Sequence, residues 1–440
     1  MIAGQSSRQP FVKISMNSKE ESATNTTEHQ TTVFQNIAYA LPQLPFYLLI
    51  IGPLSAMSGV YVKYFGLSLG AIAAAKMLSR LFDGVTDPLV GYFSDYYQQR
   101  FGSRKPLVLV GGILMLLTST LLYIPYGRDA QHSPSVSFAY FLFFYLALTL
   151  SWTVLEIPHL AWAVDISTDK KGRSQRFSFR SMMGYLAPLI FFSIPLLPIF
   201  DTTEITPETL EYGVYLAWVL MPLSLWFCLS YVPDPPSIST RKTGQVEQPE
   251  SVLNETPVVN QVQHLSKKQR FQNAFRMIVD NRPLLIFFLA YAFCGLGMAM
   301  FNGLTFFFVD NYLGLAEKLP FVFMVQYGVG IPAAWLWGLV AQKVAARYTW
   351  VMGLSLCALG LLGVGFITPG GEASFWVYLL CNSLIGAGFI STYVAGYMVL
   401  ATIVDHGKDK FGRDCSSVYF AFRTTVFKIN AAIGLSLIHI

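Results

Sequence analysis

The sequence predicts an all-α integral membrane protein built from two pseudo-symmetric six-helix bundles, in which only eleven helices are present and the last one is missing. Three observations predict it: the composition, a series of apolar stretches, and a motif that occurs twice. Apolar residues make up 53% of the 440 residues and charged residues 12%, whereas soluble domains carry about 25% charged residues. Because so few charges cannot cover the surface of a soluble protein of this size, the soluble classes are excluded.

Apolar stretches of about 20 residues are expected to cross the bilayer as helices. The sequence contains eleven such stretches, at residues 36–60, 71–96, 106–125, 137–161, 182–200, 213–232, 283–309, 320–342, 349–368, 375–402 and 416–437.

A polar segment at 233–282 separates six of these stretches from the other five. We therefore expect a disordered cytoplasmic tail over 1–35, an N-terminal bundle over 36–232, a cytoplasmic linker over 233–282 and a C-terminal bundle over 283–440. The chain stops within or just after the eleventh helix, so we expect the second bundle to be truncated.

Lysine and arginine orient the chain. Twenty of the 30 lie in the loops that follow the even-numbered helices, and only Lys63, Arg128 and Lys318 lie in loops on the other face. The positive-inside rule then predicts a cytoplasmic N-terminus. The predicted location is the plasma membrane, and the compact loops fit a bacterial inner membrane.

One motif occurs at the same place in both halves. The pattern V-D-x-x-x-D-K-x-G-R covers 164–173 and again 404–413, and F-x-F-R follows at 177–180 and at 420–423. A weaker repeat relates Gly91 and its neighbours to Gly338. Duplicated halves of equal topology are typical of parallel-repeat transporters.

The second predicted helix carries four ionisable residues on one face, Lys76, Arg80, Asp83 and Asp87, at steps of four, three and four. An ionisable group at mid-bilayer costs about 2.5–3.5 kcal/mol and is a functional candidate. Pairing with Arg80 leaves one carboxylate in excess, so we expect a cation or a proton to neutralise it.

Glu156 lies inside the fourth predicted helix, beside Trp152 and His159, and Lys428 lies inside the eleventh. Since Glu156 has no basic residue on its own helix, its partner must come from another helix or be a proton, and Lys428 is the obvious intramembrane candidate. His159 by itself is typical of a packed or hydrogen-bonded histidine.

The repeat separates two groups of charged residues. By its offsets, the counterparts of Asp83, Asp87 and Glu156 are uncharged, and the counterpart of Glu156 is Gly396. We therefore place the coupling site in the N-terminal half. Other charged residues lie at the predicted cytoplasmic surface, where we expect salt bridges that hold one conformation closed: Asp95, Arg104, Asp165, Asp169, Arg173, Asp405, Asp409 and Arg413.

The stretch from Arg80 to Gly91, RLFDGVTDPLVG, followed by RFGSRKP at 100–106, resembles the signature of the glycoside–pentoside–hexuronide:cation symporters. This family is the melibiose-permease-like branch of the major facilitator superfamily. Glu156-Ile-Pro158 and Lys428 also fall where that family has functional residues. The resemblance covers about 36–437 and implies a major facilitator fold that works by alternating access.

The resemblance implies that Asp83, Asp87 and Thr153 bind the coupling Na⁺, Li⁺ or H⁺, with Thr86 in place of an asparagine of the melibiose permease. If the ion is Na⁺, Asp83 and Asp87 are its metal ligands. The substrate-binding set on this interpretation is Glu156, Trp152, His159, Arg180 and Lys428.

The leading hypothesis is cation-coupled symport of a sugar or glycoside-like solute. The first predicted helix lacks the family's sugar-binding acidic residue, which keeps a lysophospholipid or amphiphile transporter open, and a non-transporting membrane sensor is a third possibility. No phosphate loop, metal-spaced His/Cys set or nucleophile motif suggests an enzyme. We expect a monomer in the lipid bilayer, with a small-molecule substrate, no nucleic-acid partner and no cofactor other than the coupling ion.

Overall fold

The structure, a computed structural model, describes residues 31–125, 136–166, 169–234, 280–315, 318–369, 371–411 and 415–437. The described residues form thirteen α-helices: α1 Val33–Ala40, α2 Gln43–Phe65, α3 Leu69–Phe101, α4 Lys105–Tyr123, α5 Phe138–Asp165, α6 Lys170–Ser193, α7 Pro207–Tyr231, α8 Arg282–Phe307, α9 Leu319–Lys343, α10 Ala346–Val364, α11 Gly371–Phe389, α12 Tyr397–Phe411 and α13 Ser416–Leu437.

Two pairs of these helices each make one membrane pass. The segments α1 and α2 form the first pass, and α11 and α12 form the tenth around a π-helical turn at Thr392–Gly396. The described residues therefore form eleven long helical segments, which correspond in order to the eleven predicted stretches. Nine helical spans in it are long and apolar enough to cross a membrane. The passes α3 and α13 carry ionisable residues in their middle, which lowers their hydropathy.

Several helices extend beyond their predicted bounds because polar residues next to the apolar stretch continue the same helix. The clearest case is α6, which begins at Lys170 although the apolar stretch begins at 182. Asp169 caps its first turn by accepting a hydrogen bond from the Gly172 backbone NH at 2.7 Å. The first three turns of α6 are polar yet mostly buried between the two bundles.

The tail and the linker fall largely outside the described residues. Residues 1–30 of the predicted tail are not described, and α1 begins at Val33, three residues before the predicted first helix. Most of the predicted linker, 235–279, is likewise outside the described chain. The predicted domain boundaries therefore stay predictions.

The helix contacts follow the internal repeat. Within the first half α4 packs on α5 and α2 packs on α6, and within the second half α10 packs on α11 and α8 packs on α13. The main contacts between the halves are α3 with α13 and α6 with α9. Because the repeat relates α3 to α9 and α6 to α13, these two interfaces are images of each other.

Glycines allow the closest approach at both interfaces. A Cβ atom on Gly91 of α3 would lie 2.8 Å from the Ala421 Cβ and 2.9 Å from the Ser417 carbonyl oxygen of α13. On α9, a Cβ on Gly338 would overlap the Ser178 hydroxyl of α6, and Ser174 donates a hydrogen bond to the Gly338 carbonyl at 2.6 Å. The repeated glycines thus hold the two halves in backbone contact.

Candidate functional site

Two of the four ionisable residues predicted on one face of α3 contact a lysine from the other half of the chain. The Lys428 ammonium of α13 lies 3.0 Å from an Asp83 carboxylate oxygen and 2.8 Å from one of Asp87. Arg80 pairs with the second Asp83 oxygen at 3.0 Å. Asp83, Asp87 and Lys428 are each no more than 1% exposed. Two buried carboxylates are therefore bridged by an ammonium group that belongs to the second bundle.

Two threonine hydroxyls complete this ion cluster, which we define as Asp83, Asp87, Thr153, Thr425 and Lys428. Thr153 donates to Asp87 at 2.7 Å and accepts from the Lys428 ammonium at 2.9 Å. Thr425 donates to the other Asp87 oxygen at 3.2 Å. The cluster joins α3 and α5 of the first half to α13 of the second.

The structure corrects two expectations about this cluster. Lys428 pairs with Asp83 and Asp87 and is not the partner of Glu156, so the expected excess of carboxylate is absent in this conformation: Arg80 and Lys428 balance the two aspartates. Thr86 lies outside the cluster, since its hydroxyl donates to the Phe82 carbonyl of its own helix at 3.0 Å. A helical hydroxyl commonly makes this local bond.

The cluster offers oxygen ligands of the kind that a hard cation prefers. The carboxylates of Asp83 and Asp87 and the hydroxyl of Thr153 converge on the Lys428 ammonium, and the Thr425 hydroxyl bonds the second Asp87 oxygen. The described residues include no group of three or more His, Cys, Asp or Glu side chains that could hold a metal ion; the donors here are two carboxylates and two hydroxyls. The chemistry of the donor set therefore fits an alkali cation or a proton.

A second buried ion pair lies between α5 and α6. The Glu156 carboxylate accepts from the Arg180 guanidinium at 2.5 Å, and both residues are 2% exposed. The guanidinium also lies 5.7 Å from the ring centre of Tyr397 in the second half. One Arg180 nitrogen, Nε, has no hydrogen-bond partner. This pair therefore lies at the boundary of the two bundles, and one NH group of Arg180 is left without an acceptor.

Trp152 lies beside the ion cluster and four residues before Glu156 on α5. Its ring lies 5.2 Å from the Lys428 ammonium, and it contacts Phe46 and Phe427 edge-on. Its indole NH is buried without an acceptor. A buried indole NH without an acceptor is therefore left beside the ion cluster.

His159, which the sequence analysis includes in the substrate set, packs against α1. Its imidazole stacks on Tyr39 with ring centres 4.3 Å apart, and its Nε2 is 2.9 Å from the Tyr39 carbonyl oxygen. The Tyr39 hydroxyl donates in return to the His159 carbonyl at 2.6 Å. These reciprocal bonds fix α5 to α1, so these polar contacts of His159 serve packing within the first half.

A network of ion pairs ties the two halves together at the basic end, the end of the bundle where α3, α5 and α12 finish. Its centre is Arg104, which is fully buried. Arg104 donates to Asp95 at 2.9 Å, to Asp165 at 2.8 Å and to the Ser417 hydroxyl of the second half at 2.6 Å. The conformation seen here is therefore closed at this end.

Asp95 also caps a helix of the opposite bundle. Its two carboxylate oxygens accept from the backbone NH groups of Ser417 and Val418 at 2.9 and 3.1 Å. These NH groups belong to the first turn of α13, whose free donors and positive dipole end favour a carboxylate. Separation of the bundles at this end would break the cap.

Two further pairs cross between the halves in a symmetric way. Asp165 of the first motif pairs with Lys408 at 2.9 Å, and Asp405 of the second motif pairs with Arg173, whose Nη2 is 3.1 Å from a carboxylate oxygen. The first aspartate of each motif thus pairs with a cation on the other half.

Three residues that are predicted to form salt bridges in this network are not among the ion pairs described above. Asp169 is the N-cap of α6. Asp409 is exposed and forms no ion pair with a described residue, since it lies on the outer side of the last turn of α12. Arg413 lies outside the described part of the chain.

The sequence analysis missed Thr425 and Arg423 as site residues. Thr425 carries no signal in the sequence, because a threonine in an apolar helix is common. Arg423 does carry one: it is the counterpart of Arg180 in the repeated F-x-F-R motif. Arg423 is 3% exposed and lies 4.7 Å from the Tyr397 ring centre, so both arginines contact the same ring.

Comparison with known proteins gives one family and a set of distant relatives. Residues 38–440 match the family described as MFS/sugar transport protein. The chain is 23% identical over 362 residues to the lactose permease of Lactobacillus delbrueckii subsp. bulgaricus, covering 81% of this chain and 53% of that protein. It is 23% identical to an inner membrane symporter of Escherichia coli K12, covering 92% of this chain and 82% of that protein. The chain thus spans about half the length of the lactose permease.

A solved structure shows the fold. The proton:xylose symporter XylE, bound to 6-bromo-6-deoxy-D-glucose, superposes with a TM-score of 0.61 at 14% identity, covering 92% of this chain and 87% of that one. This superposition confirms the predicted major facilitator fold.

Proposed function

Since the chain belongs to the MFS/sugar transport protein family, as its resemblance to the glycoside–pentoside–hexuronide:cation symporters predicts, we propose that it is a secondary transporter that couples Na⁺ or H⁺ to the symport of a sugar or glycoside-like solute. The observation that carries this proposal is the ion cluster. Two buried carboxylates of the first half are balanced by an ammonium group of the second half, at the interface that must open and close during transport.

In the proposed mechanism Lys428 stands in for the coupling cation in the conformation described here. Moving α13 away from α3 withdraws the ammonium group and leaves Asp83 and Asp87 buried with one charge uncompensated. Such a charge is costly in a dry site, so entry of Na⁺ or a proton stabilises the separated state. The ion and the movement of the two halves are then coupled, and each ligand raises the affinity for the other.

The solute is proposed to bind between Glu156, Arg180 and Trp152. The carboxylate accepts hydrogen bonds from sugar hydroxyls, the guanidinium and the indole NH donate to sugar oxygens, and aromatic faces pack on the ring. The names of the relatives, lactose permease and raffinose carrier among them, support a sugar as the solute.

The protein is a multi-pass membrane protein. We further propose that the N-terminus and the basic end face the cytoplasm, in a bacterial inner membrane, on the positive-inside distribution of lysine and arginine. The ion pairs of Arg104, Asp165 and Asp405 would then act as the cytoplasmic gate. A monomer that carries out no covalent chemistry suffices for this mechanism.

Uptake by vesicles that contain the full chain tests the proposal. A panel of radiolabelled sugars and lysolipids is offered with Na⁺ and pH gradients imposed separately. We expect one gradient to drive accumulation of at least one sugar above equilibrium. Accumulation of lysolipids alone would favour the amphiphile hypothesis, and the absence of exchange with every solute would favour a sensor; either result contradicts the proposal.

Replacing Glu156 should separate solute binding from ion binding. In Glu156→Gln the acceptor charge is lost and Arg180 remains buried, so we expect the Kd for the transported sugar to rise at least about tenfold. Binding of the coupling ion should stay within about twofold, because the ion cluster is untouched. Calorimetric titration of purified protein measures both, with the exposed Glu208→Gln as the matched control. An equal loss of ion binding would contradict the separate roles.

A further inference from the structure

The structure assigns a binding site for an anionic group to Arg423, so we propose that the transported solute is an organic anion. This inference rests on the proposed transport function and deepens it. It starts from the charges buried between the bundles. Arg80 and Lys428 balance Asp83 and Asp87, and Arg180 balances Glu156. Arg423 is a further buried guanidinium, and no described carboxylate balances its charge.

Arg423 has no anionic partner among the described residues. It is 3% exposed, it forms no ion pair, and its Nε and Nη2 atoms have no hydrogen-bond partner. Rings surround it instead, with centres 4.7 to 5.8 Å from the guanidinium carbon: Tyr291, Tyr393, Tyr397 and Phe427. Cation–π contacts use the faces of the guanidinium, whereas its NH groups point outward in its plane and need acceptors.

The internal repeat explains why the acceptor is missing. Arg180 and Arg423 are counterparts in the F-x-F-R motif, and Arg180 is neutralised by Glu156. The counterpart of Glu156 is Gly396, which brings no carboxylate. The second half therefore keeps the arginine of the pair and lacks its anion.

A carboxylate or phosphate on the solute would complete the second pair. The planar fork of arginine matches two oxygens of such a group, and a buried, unpaired positive charge favours an anion over a neutral hydroxyl. The Tyr397 ring, which both arginines contact, places this position next to the Glu156–Arg180 pair. One solute can thus present its neutral part to Glu156 and Arg180 and its acidic group to Arg423.

Binding to the purified full chain in nanodiscs tests the proposal with two matched probe pairs. The first pair is methyl α-D-galacturonide and methyl α-D-galactoside; the second is 1-oleoyl lysophosphatidate and 1-oleoylglycerol. We expect the wild type to bind the anionic member of one pair at least about tenfold more tightly, and the pair that responds distinguishes a sugar acid from a phospholipid. No preference in either pair would overturn the proposal.

Variants assign the preference to Arg423. In Arg423→Gln the anionic and neutral probes should bind with equal affinity, while the neutral probe stays within about twofold of wild type. Arg347→Gln removes an exposed arginine that also stacks on a tyrosine, Tyr348, and should keep the preference. A preference retained in Arg423→Gln would refute the assignment. If Arg423→Gln has no melting transition, and so does not fold, Arg423→Lys replaces it in the test. Lysine lacks the planar fork of arginine, so the preference for the anionic probe should fall at least about threefold. An unchanged preference in Arg423→Lys would refute the assignment.

The outcome is separable from that of the transport proposal. Ion-driven uptake of a neutral sugar without any anion preference would sustain the transport function and reject the role of Arg423. A preference for the anionic probe that depends on Arg423, without gradient-driven uptake, would sustain the role of Arg423 and reject the transport function.

Discussion

Asp87→Asn is expected to abolish ion-gradient-driven accumulation while downhill exchange of the solute continues. Asp87 binds Lys428, Thr153 and Thr425 in the closed conformation. The asparagine is nearly isosteric but removes one of the two negative charges, so Arg80 and Lys428 then exceed the remaining aspartate by one charge. A cluster that is already positive does not attract Na⁺ or H⁺.

The measurement is uptake in vesicles with and without the imposed gradient, together with the Kd of the ion. We expect the accumulation ratio to fall to one and the ion Kd to rise by at least about tenfold. Asp201→Asn, an exposed carboxylate, serves as the control. Wild-type accumulation in Asp87→Asn would remove the coupling role of the cluster.

A double variant separates coupling from folding. In Asp87→Asn, Arg80 and Lys428 share Asp83 alone. An uncompensated buried charge costs about 3–5 kcal/mol, so Asp87→Asn by itself also risks low expression. Adding Lys428→Gln restores neutrality, since Arg80 and Asp83 remain paired. We expect the double variant to express normally and to stay uncoupled.

Gly91→Leu is expected to prevent closure at the basic end and to reduce transport by at least about tenfold. A Cβ at this position would already lie 2.8 Å from the Ala421 Cβ and 2.9 Å from the Ser417 carbonyl oxygen. The second of these is backbone, which cannot rotate away. Overpacking costs about 1–3 kcal/mol, and this cost falls only on the conformation in which α3 and α13 touch.

Maleimide labelling measures the shift. A cysteine placed by Ser417→Cys is buried when the basic end is closed, so its labelling should accelerate in Gly91→Leu. Gly84→Leu on the same helix is the matched control, because nothing lies within 4 Å of its Cβ position. Unchanged labelling and unchanged uptake in Gly91→Leu would show that this contact is not formed during transport.

The membrane class, the eleven passes and the duplicated halves followed from the sequence alone. The composition and the length of the apolar stretches indicate that the protein lies in a bilayer, since each pass requires about 20 apolar residues. The repeat at 164–173 and 404–413 also indicated which helices are counterparts. Buried charges were recognisable as well, because a charge in an apolar helix is costly wherever it points.

Only the tertiary structure decided how those charges pair. The sequence suggested Lys428 as the partner of Glu156, but Lys428 bridges Asp83 and Asp87, and Glu156 pairs with Arg180. Spacing along one helix shows which residues share a face, but it carries no information about which face of a distant helix lies opposite. That depends on how α3 and α13 cross, and the crossing is set by the backbone contact at Gly91, 337 residues before Lys428.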